Sequence, residues 1–175
     1  MTLTVTAPVP PVGNENLVVR PVVPHDRARI VEIFDGLSAQ SRYLRFLGPK
    51  PKLSDAEIRY FSNVDHHDHE AIVALVGDHG VGVARFVRMH ADPCAADVAV
   101  EVVDAWQGRG LGAALLRCIA RRARDERVLR LHATVLSSNR AVIATIDKLA
   151  APWRTTSRDG PVIGIDVALG GPGPA

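Results

Sequence analysis

The residues whose types and spacing could do chemistry cluster in two places. The first is 106–112, WQGRGLG, which follows the strand-like run DVAVEVVDA and opens a long helical pattern. The first N–H groups of a helix have no intrahelical partner and carry partial positive charge. Such an end seats a phosphate when nothing crowds it. Gly108, Gly110 and Gly112 clear the space, Arg109 can add a charge-assisted contact, and Gln107 can brace the loop. The stretch lacks the GxxxxGK[ST] of a P-loop. It also lacks the early strand and downstream acidic residue of a dinucleotide fingerprint. The second cluster is Asp97 and Glu101, carboxylates on the strand just before the glycines. With period-2 alternation they share one face with Ala99 and oppose Val98, Val100 and Val102.

The elements that must position these groups follow from pattern. Strands are expected over 17–23, 71–76, 81–89, 95–103 and 128–136, with a terminal pair over 153–158 and 162–169. Helices are expected over 27–37 with Asp26 as N-cap, over 43–47 stopped by Gly48-Pro49, and from Ser54 to Phe61 with Glu57 completing a capping box. The helix over 110–126 carries Leu111, Leu115, Cys118 and Ile119 on one stripe and four arginines around the rest, with Arg127 just beyond, and another helix spans 139–149. A mixed sheet with helices on its faces results. The chain of 175 residues suits one α/β domain over 17–169, with a loose lead-in over 1–16 and a tail over 170–175.

The formal net charge of +2 gives no case for nucleic acid, and no apolar run is long enough to cross a membrane. The first residues lack a basic segment followed by an apolar core, which favours a cytoplasmic protein. Cys94 and Cys118 form no CxxC and no disulfide framework. His66, His67, Asp68, His69 and Glu70 match no standard zinc spacing, so no metal is assigned.

Gln107-Gly108-Arg109-Gly110-Leu111-Gly112 resembles the Q-x-x-G-x-G acyl-CoA signature of the GNAT N-acetyltransferase superfamily, and VLSSNRAVIATIDKLA is similar to the helix whose Asn, here Asn139, contacts the cofactor. The first half is similar to Pat-like bacterial protein lysine acetyltransferases through Ser38, Ser41, Tyr43, Arg45 and Phe46, then Leu53, Ser54, Asp55 and Glu57, then Val64 and Asp65. The resemblance implies a mostly antiparallel GNAT sheet and direct acetyl transfer from acetyl-CoA to an amine, with a protein lysine as the favoured acceptor. A small-molecule amine, or a catalytically weak acyl-CoA sensor, is the alternative. It implies that 107–113, including Leu111 and Ala113, take the pyrophosphate. The backbone of Val100 and Val102 would line the pantetheine arm, with an N–H near Val102 polarising the thioester carbonyl. The family's early Glu falls on Asp97, one methylene shorter, and Glu101 is the second candidate for the base. Ile146 stands where many relatives have a Tyr acid, and Ala150-Ala151 replaces their Gly-Phe. Monomer and homodimer both remain open.

Overall fold

A computed structural model describes residues 16–170; most of the expected lead-in and tail lies outside them. Seven strands form one sheet: β1 (Leu17–Pro21), β2 (His69–Val76), β3 (His79–Met89), β4 (Asp92–Val102), β5 (Arg130–Leu136), β6 (Trp153–Asp159) and β7 (Val162–Ala168). Five helices join them: α1 (Arg27–Asp35), α2 (Ala39–Phe46), α3 (Asp55–Ser62), α4 (Leu111–Asp125) and α5 (Arg140–Asp147). The spatial order is β1-β2-β3-β4-β5-β7-β6. Every pairing is antiparallel except β4 with β5. Among the described residues no helix is long and apolar enough to cross a membrane.

Burial explains the layering. β2 is buried along nearly its whole length because helices cover both faces. On one face, Ile72, Ala74, Ala84 and Phe86 join Leu111, Leu115 and Ile119 of α4 and Ile146 of α5. On the other, Ala71, Val73 and Val83 pack against Ile30 and Ile33 of α1. β6, at the far edge, is exposed throughout.

The helical stripe of α4 is buried as its spacing predicts, with Cys118 half-buried at its margin. Its arginines are not all solvated. Arg122 turns inward and donates from Nε at 3.0 Å and Nη2 at 2.7 Å to Glu70, which is fully buried on β2. Glu70 also meets His66 Nδ1 at 2.8 Å, and His67 meets Glu126 at 2.6 Å. The histidine-rich loop therefore ties β2 to α4.

Asp26 holds the N-cap position of α1, as expected, but with a different task. Its side chain does not cap α1. It is fully buried, accepts two hydrogen bonds of 2.7 Å from Arg20, and takes the Val23 N–H at 2.9 Å. Burial disfavours its charge, but these donors outweigh that and lower its pKa. A local capping pattern could not reveal Arg20, which arrives from a strand. The strand expected at 95–103 starts earlier, at Asp92, and the one expected at 128–136 starts later, at Arg130. The short helix expected at 43–47 is a full one capped by Ser38, whose Oγ accepts from Ser41 N at 3.1 Å.

His69 gives the fold a pH dependence. It is buried beneath Tyr60, with ring centroids 4.6 Å apart. Burial, helped by the Arg85 charge, lowers its pKa from 6.5 to about 4. The folded state then refuses a proton that the unfolded chain accepts, so stability is lost as pH falls from about 6.5 toward 4. The contribution is on the order of 2–3 kcal/mol. Urea titrations at pH 7 and pH 4.5 should show that loss in the parent and a much smaller one in His69→Phe. Equal losses would remove His69 as the cause.

Candidate active site

The site is built at a fork in the sheet. β4 and β5 pair only through Ala95↔Arg130, Ala96↔Leu131 and Asp97↔His132. Beyond that rung the two strands part, while β4 stays in regular register with β3 up to Val102. One edge of 98–102 thus faces a cleft rather than a neighbouring strand. The cleft has a volume of about 440 Å³ and runs from α2 past the glycine loop to α5.

The glycine loop forms one wall. Gly108 and Gly110 have φ of +73° and +86°, conformations that L side chains rarely adopt. Gly110 precedes the first turn of α4, whose leading N–H groups have no intrahelical acceptors. A side chain added at Gly112 would meet only Val102 Cγ2 at 3.8 Å and Thr145 Cγ2 at 3.9 Å, so this glycine keeps the cleft itself clear. Gln107 braces the loop, donating from Nε2 to Val102 O at 3.0 Å, Asp104 Oδ1 at 3.1 Å and Ser41 Oγ at 3.3 Å.

Of the residues singled out in the sequence, Val100, Glu101, Val102, Gln107, Gly108, Gly110, Gly112, Ala113 and Asn139 line the cleft. Three do not. Leu111 turns its side chain into the core, leaving only its N–H for a ligand. Arg109 lies over the Trp106 ring, 4.9 Å from its centroid. Asp97 stands exposed on the last paired rung, just outside the fork. Asn139 is buried, and its Oδ1 accepts the Val142 N–H at 3.3 Å, so it is the N-cap of α5 as well as a wall of the cleft.

The two carboxylates sit in different surroundings. Asp97 is open to solvent, whereas Glu101 is buried and its Oε1 accepts from Arg45 Nε of α2 at 2.8 Å. The parity expected from the sequence holds: Val83↔Glu101, Arg85↔Ala99 and Val87↔Asp97 place them on the face away from α4. Composition gave no sign that Arg45, Ser41 and Leu44 would close one end of the cleft, or Ala133, Thr134 and Val135 its far side. These walls come from distant segments, and only the Pat-like similarity drew attention to Ser41 and Arg45.

A forked parallel pair inside an antiparallel sheet, with a glycine-cleared helix end at its mouth, defines an acyltransferase fold. The sequence matches the acetyltransferase (GNAT) family over residues 35–150, and the chain belongs to that family. Acetyl-CoA is the family's acyl donor. Acetyltransferase Pat of Mycolicibacterium smegmatis is 35% identical over 136 residues, which are 77% of this chain and 40% of that protein. The chain therefore spans well under half of that relative. The GNAT domain of Streptomyces lividans PAT superposes with a TM-score of 0.80 at 30% identity, covering 86% of this chain and 89% of that one. YncA of Salmonella typhimurium, solved with its cofactor acetyl-CoA, has the same fold, with a TM-score of 0.70 at 18% identity over 88% and 94% of the two chains.

Proposed function

We propose that this chain transfers the acetyl group of acetyl-CoA to an amine, with the side-chain amine of a protein lysine as acceptor. The observation that carries the reading is the fork: an unpaired edge of β4 beside a helix N-terminus that three glycines leave bare. The residues present fit the donor. The α4 N-terminus and its glycines would seat the pyrophosphate. The apolar walls at Val100, Val102 and Ala133 suit the pantetheine arm, and an N–H on the open edge of β4 would stabilise the oxyanion. The lysine acceptor rests on the Pat-like pattern of the first half, which the similarity to the mycobacterial acetyltransferase Pat supports.

Asp97 supplies the free carboxylate. It draws a cationic acceptor to the last rung and assists its deprotonation, which matters because a lysine ammonium titrates near 10.4. Glu101 is the second candidate, but its Oε1 is already taken by Arg45. Asp97→Asn should lower the turnover of acetyl-CoA with poly-L-lysine by at least about 100-fold with little change in acetyl-CoA affinity, while Asp97→Glu keeps much of it. Undiminished turnover in Asp97→Asn would remove Asp97 from the mechanism. Binding of acetyl-CoA without transfer to poly-L-lysine, lysine amide or spermidine would replace the enzyme reading with an acyl-CoA sensor.

A further inference from the structure

The sheet face that carries Asp97 holds another group suited to moving a proton. Strand parity puts His132 and Thr134 of β5 and Gly164 and Asp166 of β7 on that face, opposite the core beneath α4. Asp97 and His132 are direct partners on the last rung before the fork. Adjacent strands lie roughly 4.8 Å apart, so the two side chains are neighbours on one face.

Three features set the His132 ring. Its Nδ1 lies 2.7 Å from Asp166 Oδ1. An ionised carboxylate only accepts, so in the neutral ring Nδ1 carries the hydrogen and the lone pair falls on Nε2. Asp166 is held in turn by Arg130 Nε at 3.2 Å. Nε2 is turned toward Thr134 Oγ1, 3.5 Å away, and Thr134 lines the cleft. Gly164 makes the space: a Cβ there would stand 2.9 Å from His132 Cε1 and 2.4 Å from Ser157 Oγ. Glycine inside a strand weakens it, and here the vacated volume is shared by the imidazole.

We propose that His132, oriented by Asp166, is a catalytic residue that receives the acceptor's proton at Nε2, with Asp97 holding the ammonium beside it. This deepens the acetyl-transfer reading and rests on it. The acceptor R–NH₃⁺ gives one proton to His132 Nε2. The freed amine attacks the thioester carbonyl, so a C–N bond forms and the C–S bond breaks. The amine's second surplus proton leaves with the thiolate as CoA thiol, and His132 returns its proton to solvent. The sum is ammonium plus acetyl-CoA giving acetamide, CoA thiol and one proton.

The test uses the full chain with acetyl-CoA and poly-L-lysine, counting acetylated amine by mass against an enzyme-free control. His132→Gln can still donate to Asp166 but has no basic nitrogen. It should lose at least about 100-fold in kcat while the KM for acetyl-CoA stays within twofold. His132→Ala should lose as much and regain part of the rate in added imidazole, and Asp97→Asn should not regain any. A kcat within threefold of the parent in His132→Gln overturns the proposal. So does a lowered melting temperature in both His132 variants with no imidazole rescue, since the dyad is then only a staple between β5 and β7. A parent protein inert toward poly-L-lysine and toward free amines overturns the acetyl-transfer reading and this proposal with it. An active parent with an active His132→Gln overturns the proposal alone.

Discussion

Gly112→Glu is expected to stabilise the protein and sharply weaken its binding of acetyl-CoA. The two effects have opposite signs because the residue serves the cleft and not the fold. Gly112 is the second residue of α4 and has no positive φ, and a new Cβ meets nothing closer than 3.8 Å. Replacing glycine within a helix gains roughly 0.5–1 kcal/mol. An acidic side chain in the first turn adds about 0.3–1 kcal/mol through the helix dipole. A rise of a few degrees in melting temperature follows for a chain of this size. The same carboxylate would stand where the pyrophosphate is proposed to sit. Affinity should fall at least about 100-fold, near 2.7 kcal/mol. Calorimetric titration with acetyl-CoA, paired with a thermal melt, reads both. A stable variant that binds acetyl-CoA like its parent would place the phosphates elsewhere. Gly110→Glu is a poorer test, because a φ of +86° would strain any side chain there and confuse stability with binding.

What was legible in the sequence was whatever is local. The stripe of α4, the alternation of β4 and the capping box at Ser54 and Glu57 depend on residues a few positions apart, and each is present. The glycine loop was readable for the same reason: a helix start and its clearance are written within seven residues. Asn139 was found by resemblance, and its second task as N-cap of α5 is one that Asn favours on its own chemistry.

The rest depended on register between distant segments. Nothing near Glu101 announces Arg45, which lies 56 residues earlier. Arg122 looks like another solvated arginine until β2 brings Glu70 beneath it. His132 sits in no motif, and its place beside Asp97 exists only because a parallel pairing forms for three rungs and then opens. That opening is the feature on which the proposed function turns, since it leaves an edge of β4 facing the cleft. No propensity encodes where two strands stop pairing.

Glu101→Gln should unfold the protein more readily by about 3 kcal/mol, for a reason unrelated to proton transfer. Arg85 is 4% exposed, and its Nε and Nη2 have no hydrogen-bond partner among the described residues. Nη1 reaches only Phe61 O at 3.3 Å and His69 Nε2 at 3.5 Å, with the guanidinium carbon 4.2 Å from the Phe61 ring centroid. Burial pulls its pKa down to about 10, and the Glu101 charge opposes that shift. Neutralising Glu101 therefore leaves a buried cation without its counter-charge, whereas Arg45 is partly solvated and can turn outward. The remedy is to remove the stranded cation. Replacing a buried, poorly bonded charge by an apolar side chain is often neutral or stabilising, and Arg45 still compensates Glu101. Arg85→Met alone should then melt at or above the parent's temperature, and Glu101→Gln in that background should cost only about 1 kcal/mol. Urea denaturation of the four proteins in the cycle measures the coupling. Turnover in the same set separates the roles: near-parent kcat in the double variant makes Glu101 a counter-ion for Arg85, whereas a kcat still depressed about 100-fold would make it a base.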